Sequence, residues 1–187
     1  MLGYQGLTDA TVVAEKEYEI VNGVPKEKEM AGARHGGIGT RLIVRLGAHV
    51  EANRLGGVYG PDTMFQIGAN DRLPDVAFVA AARIPATGEP EGKWPLAPDL
   101  AVEIISTNDL FEQVLSKVRE YFNAGVRQVW VISPEHRMVF LYDSPNDLVL
   151  LAEDGELVSE GLLPGFRCKV SELFQQPANA TATQRSV

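Results

Sequence analysis

Two stretches decide how this chain is read: Leu73-Pro-Asp-Val-Ala-Phe-Val79 and Leu100-Ala-Val-Glu-Ile-Ile105. Each is a short, nearly continuous apolar run, the pattern of a strand covered on both faces. Each also carries one carboxylate, Asp75 in the first and Glu103 in the second. Ionised side chains are almost never fully buried unless they are paired. For one such acid, a strand end facing water is the simpler explanation. Two acids in matching settings are better explained by a shared cation, and a metal site is the stronger reading of the pair.

Working outward, Glu17 to Val21, Asn22-Gly23 and Val24 to Met30 predict a β-hairpin. Asn-Gly supplies the two positive-φ positions of a tight type I′ turn. A helix follows from about His35 to Leu55, with Ile38, Leu42, Leu46 and Val50 at helical spacing and Gly56-Gly57 as its stop. Val58 to Ile67 predicts one or two short strands broken by Gly60-Pro61, and Arg83 to Pro98 a long surface loop rich in Pro and Gly. The second helix spans about Leu110 to Ala124, with Phe111, Val114, Leu115, Val118 and Phe122 as its apolar stripe and Gly125 as its end. Asp109 and Glu112 predict a capping box at its start. Strands at Val129 to Ile132 and Val139 to Tyr142 flank Ser133-Pro134, and weaker ones lie near Leu148 to Ala152 and Glu156 to Val158. The order predicts an α/β fold, a mixed sheet flanked by helices, in a single domain over residues 1–174. Residues 175–187, nearly devoid of large apolar side chains, read as a flexible C-terminal tail.

On the second helix, Lys117 falls at the edge of the apolar stripe near Tyr121, not on the wet face with Glu112 and Arg119. A lysine there can lay its methylenes on the sheet and carry its ammonium to the strand ends. Two carboxylates and a lysine make a chemical tool. The acids can hold Mg²⁺ or Mn²⁺ through oxygen, leaving coordination positions for water and phosphate. The lysine can orient that water or stabilise charge on phosphorus.

Composition narrows the classes. The 187 residues suffice for one core, and the lone Cys168 excludes an internal disulfide framework or a Cys-rich zinc site. No apolar run is long enough to span a bilayer, and Met1 to Ala10 lacks the pattern of a signal peptide, so a soluble cytoplasmic protein is expected. A net charge of −8 argues against a passive nucleic-acid coat. Between Lys26 and Arg54, however, six basic residues face three acidic ones. Arg41 and Arg45 there share a helix face and are candidate phosphate contacts.

The motifs Tyr18-Glu-Ile-Val-Asn-Gly23, His35-Gly36, Leu73-Pro-Asp-Val76 and Pro98-Asp-Leu-Ala-Val-Glu-Ile-Ile-Ser106 occur in that order. Lys117 with Tyr121, Ala124-Gly-Val126 and Val129-Trp-Val-Ile-Ser-Pro134 follow. From about Tyr18 to Phe174 this run resembles the Uma-type family of putative restriction endonucleases, in the PD-(D/E)XK nuclease superfamily. The resemblance implies a restriction-endonuclease-like core and a metal site holding Mg or Mn. Asp75 would be the first metal-binding acid, Glu103 the second and the Ile104 carbonyl a further ligand. Glu19 also matches a family position and would help hold metal or water, with an outward-facing hairpin acid as the equal alternative. The wider superfamily places its lysine two residues after the glutamate, where this chain has Ile105, so Lys117 becomes the candidate. His35 is expected to pack or to hydrogen-bond at the helix start, and His49 and His136 to be structural.

The function implied is a Mg-dependent endonuclease acting on DNA, as a homodimer if paired cuts on a duplex are made by two sites related by two-fold symmetry. The alternative is a catalytically inactive binding or regulatory module that keeps the nuclease fold. A small-molecule enzyme using a Glu/Lys pair ranks third, because no cofactor fingerprint is present.

Overall fold

The computed structural model describes residues 16–177 except 29, 107 and 108; most of the predicted tail, from residue 178, lies outside the described residues. Among the described residues twelve strands and three α-helices follow one another: β1 (Tyr18–Val21), β2 (Val24–Glu27), α1 (Ala33–Ala52), β3 (Gly56–Tyr59), β4 (Phe65–Ile67), β5 (Asn70–Arg72), β6 (Val76–Ala80), β7 (Leu100–Ile104), α2 (Phe111–Asn123), β8 (Gln128–Ser133), β9 (Met138–Ser144), β10 (Asp147–Leu151), β11 (Glu156–Val158), β12 (Arg167–Lys169) and α3 (Val170–Leu173).

The main sheet has six strands in the order β10-β9-β8-β7-β6-β3. Only β7 and β8 run parallel, joined through α2; the other pairs are antiparallel. α1 covers one face through Ile38, Leu42, Leu46 and Val50, packed with Val76, Phe78, Val102, Ile104 and Trp130. Val118 and Tyr121 of α2 cover the other, packed with Ala77, Val79, Ala101, Val129 and Val131. Alternation along β7 therefore sends Val102 and Ile104 towards α1 and Ala101 and Glu103 towards α2. This is the predicted mixed α/β architecture, a sheet flanked by helices. A smaller antiparallel sheet, β2-β1-β5-β4, stands beside it.

The hairpin forms as expected, with Asn22 and Gly23 at φ 52° and 77°. Several boundaries differ from the sequence expectation, each for a local reason. α1 ends at Ala52, short of Leu55, because Arg54 adopts φ 53°, and the Arg54 and Leu55 amides turn back to Glu51 and Val50. A Schellman closure has thus formed without glycine. Gly56, beyond it, has φ 149°, and a Cβ there would lie 2.0 Å from the Val79 carbonyl oxygen, so β3 can approach β6 only through glycine. Residues 58–67 split between the two sheets, and β5, missed in the sequence because Asn70-Asp-Arg72 is polar, pairs with both β1 and β4. The 83–98 segment is not wholly a surface loop: Trp94 is 2% exposed and bridges to Phe65.

α2 begins at Phe111, and Leu110 caps it without a side-chain hydrogen bond. Asp109 accepts instead from the Ser106 amide at 2.6 Å, so the predicted capping box does not form. Phe111 is 72% exposed, and the buried face of α2 runs through Val118 and Tyr121, which shifts it towards Lys117. No described helix is long and apolar enough to cross a membrane.

Candidate active site

Asp75 sits one residue before Val76, whose partner across the strands is Val102, so Asp75 lies level with Glu103 at one end of the β6–β7 pair. Its amide donates to the Val102 carbonyl at 3.0 Å, continuing the ladder. The carboxylate turns to the α1 side, where Oδ2 accepts from the Ile104 amide at 2.7 Å. His35 Nε2 lies 3.2 Å from the same oxygen, and Lys28 Nζ is 3.3 Å from Oδ1. Burial alone would raise the Asp75 pKa, but His35, Lys28 and the Ile104 amide together hold it below the ordinary carboxylate value. His35 in turn is raised, chiefly by its hydrogen bond to Asp75, with a further backbone hydrogen bond to Ile104.

Glu103 faces α2. Its Oε2 accepts from Lys117 Nζ at 2.8 Å and its Oε1 from the Tyr121 hydroxyl at 2.5 Å. Burial pushes the Glu103 carboxyl up, and the negative charge of Asp75 adds to that, partly offset by Lys117. The two acids therefore feel one another across β7. Lys117 also lies 3.4 Å from Glu19 Oε1. Burial works against its charge, but the Glu103 and Glu19 carboxylates outweigh it, and the ammonium pKa is raised.

Glu19, 7% exposed, is not an outward-facing hairpin acid. Its Oε2 accepts from Arg72 at 2.8 Å and its Oε1 from the Leu73 amide at 3.1 Å. Arg72 continues to Glu120 of α2 through two hydrogen bonds. Buried carboxylates held this way are tolerated because charged partners and hydrogen bonds offset the cost of desolvation. Asp75, Glu103, Lys117 and Glu19 are thus brought to one end of the sheet.

Arg41 and Arg45 are engaged elsewhere. Arg41 donates to the Leu173 carbonyl at 2.7 Å and Arg45 to Glu172 at 2.8 Å, so both tie α1 to α3. These contacts were hidden in the sequence because four-residue α3 carries no periodic signal. His49 and His136 lie apart from the site acids, at hydrogen-bond distance from the Pro164 carbonyl and the Ser133 hydroxyl.

Sequence reasoning missed three site residues. In the sequence Lys28 is one of a basic cluster, His35 reads as packing or hydrogen-bonding at the helix start, and Tyr121 stands beside Lys117 with no role of its own. The signal for Tyr121 was available, since its position four residues after Lys117 puts both on one face. Lys28 depends on where the hairpin lands, which local sequence does not encode.

A cleft of about 590 Å³ opens on the Asp75 side, lined by Lys16, Glu17, Lys28, His35, Gly36, Gly39, Thr40, Asp62, Asp75 and Ile104 among others. It does not reach Glu103 or Lys117. Among the described residues no three His, Cys, Asp or Glu side chains are grouped to hold a metal ion. The donor set nevertheless fits a hard divalent ion that keeps several waters, such as Mg²⁺, which needs only one or two carboxylates. Within a strand a residue's N–H and C=O point to the same side, so the Ile104 carbonyl faces Asp75 as its amide does. A positive group already resides there: Lys28 Nζ lies within reach of Leu73 O at 2.8 Å, Asp75 Oδ1 at 3.3 Å and Pro61 O at 3.4 Å.

Comparisons agree with this architecture. No curated protein matches the chain. A crystal structure titled as that of a putative nuclease belonging to DUF820, from Anabaena variabilis ATCC 29413, superposes with a TM-score of 0.75 at 21% identity. The match covers 84% of this chain and 89% of that one and establishes the shared fold. The family model described as "Putative restriction endonuclease" matches residues 8–171, and on that span the chain belongs to the Uma2 family.

Proposed function

We propose that the protein is a metal-dependent endonuclease that hydrolyses DNA phosphodiester bonds at the end of β6 and β7. The observation that carries this reading is the placement of Asp75 level with Glu103, with Lys117 of α2 on Glu103 at 2.8 Å. Asp75, Glu103 and the Ile104 carbonyl would hold Mg²⁺ or Mn²⁺. When bound, that ion would neutralise phosphate charge and acidify water. Glu19 does not join the ligand set in this reading; it fixes Lys117 from the other side at 3.4 Å. Held between two carboxylates, the Lys117 ammonium stays protonated and is placed to donate to the attacking water or to a phosphate oxygen. Tyr121 keeps the Glu103 carboxylate in one orientation. Family membership supports a nucleic-acid substrate. A homodimer would present two such sites to the two strands of a duplex.

A second reading, a nuclease-fold module without turnover, draws on one observation: Lys28 and Lys117 already balance both acids. Titration of Mn²⁺ into wild type, Asp75→Asn and Glu103→Gln, alongside plasmid cleavage, separates the two. The nuclease reading expects metal binding and Mn²⁺-dependent nicking in wild type, with nicking lost in both variants. Full cleavage by either variant overturns the site assignment, and absence of both binding and cleavage in wild type, with or without DNA, favours the module.

A further inference from the structure

The Lys28 ammonium is placed as a bound cation would be. Its three oxygen neighbours are two backbone carbonyls, Leu73 and Pro61, and the Asp75 carboxylate. Asp75 is 5% exposed, and burying its charge without a partner would be costly. Lys28 supplies a permanent positive partner, whereas His35 does so only when protonated. The lysine follows directly on β2, and its amide is tied to the Glu17 carbonyl at 2.9 Å, so its backbone is anchored in the hairpin while its side chain spans to Asp75. The cleft beside it offers room for the side chain to leave. A divalent ion cannot take the place of this ammonium among Leu73 O, Pro61 O and Asp75 Oδ1 while the side chain stays, and repulsion between the two charges drives the lysine out.

We propose that Lys28 is a built-in occupant of the cation position at Asp75, displaced into the adjacent cleft when a divalent ion binds. The inference rests on the reading of Asp75 as a metal ligand. It makes metal entry a substitution of one cation for another. It also makes the hairpin end, which sets the reach of Lys28, a determinant of metal affinity.

The test uses the full chain and Mn²⁺ as the probe. Lys28→Gln removes the charge and keeps a donor for the Leu73 carbonyl. Lys16→Gln serves as control: Lys16 lines the same cleft but is paired with Glu27 at 2.9 Å and is 56% exposed at its side chain. Lys28→Gln should bind Mn²⁺ about tenfold tighter or more, because one unit charge is removed at contact range in a partly buried site. Lys16→Gln should stay within about twofold of wild type, as an exposed and screened charge does. Wild-type Mn²⁺ binding with no gain in Lys28→Gln would overturn the inference and leave the metal-site reading standing. Equal gains in both variants would also overturn it, since diffuse electrostatics would then suffice. If neither wild type nor Lys28→Gln bound Mn²⁺, both readings would fall. A measurement on wild type alone removes dependence on variant folding. Acylation of Lys28 by an amine reagent, followed by peptide mass spectrometry, should rise several-fold on adding Mg²⁺, while labelling of Lys16 stays level; unchanged Lys28 labelling at a Mg²⁺ concentration shown to saturate the site would contradict displacement.

Discussion

Each acid at the site has a different electrostatic setting. Asp75 is lowered by its donors, whereas Glu103 is raised by burial and by Asp75. Glu19 is lowered from the ordinary value of 4.5, because Lys117, the Leu73 amide and Arg72 outweigh its burial. A carboxyl whose folded-state pKa lies below its unfolded one contributes stability that is fully present above the unfolded value. That contribution is lost as pH falls through the folded value. Glu19 therefore supports the fold fully above about pH 4.5 and progressively less on acidification. Urea unfolding of Glu19→Gln should show lower stability than wild type at neutral pH and a shallower loss of stability between neutral and acidic pH. An unchanged slope would mean that Glu19 titrates alike in the folded and unfolded chains. The charge placement that drives this was partly legible: Asp75 and Glu103 stood out as acids within apolar runs. Their donors were not, since Lys28 and His35 are 47 and 40 positions before Asp75 and arrive only through folding.

At the level of elements, one arginine joins three of them. Arg72 of β5 reaches Glu19 of β1 and Glu120 of α2, with side-chain exposures of 10%, 9% and 21%. Through it the small sheet is fastened to the helix that carries Lys117. Arg72→Ala would leave buried Glu19 and half-buried Glu120 without the guanidinium they share and should destabilise the protein by about 3 kcal/mol, read as a lowered midpoint in urea unfolding. A change below about 1 kcal/mol would place Arg72 among the surface ion pairs that contribute little. The hairpin and the two central runs were readable because Asn22-Gly23 and the alternation-free strands carry strong local signals. Polar β5 and short α3 carry none, and without α3 the role of Arg41 and Arg45 could not be foreseen. α2 was found, but its stripe was rotated: Phe111 looks like core by hydropathy, yet the sheet ends before it and leaves it in water.

For the whole molecule, the six-stranded sheet separates two half-sites. The α1 face holds Asp75 with His35 and Lys28 beside the cleft; the α2 face holds Glu103 with Lys117 and Tyr121. They meet only at the end of β7, where the backbone of Ile104 binds Asp75 while the neighbouring side chain of Glu103 binds Lys117. In the proposed mechanism the lysine that acts on the phosphate is carried on α2 rather than at position 105, and so comes from the side opposite the cleft. The most direct test is Mn²⁺-dependent plasmid cleavage by folded Lys117→Met, with Mn²⁺ binding measured on the same sample. Metal binding should persist while cleavage falls at least about 100-fold, the usual scale for losing one charge-stabilising group. Cleavage at the wild-type rate would contradict the mechanism and send the search for the catalytic cation to the cleft side of the sheet.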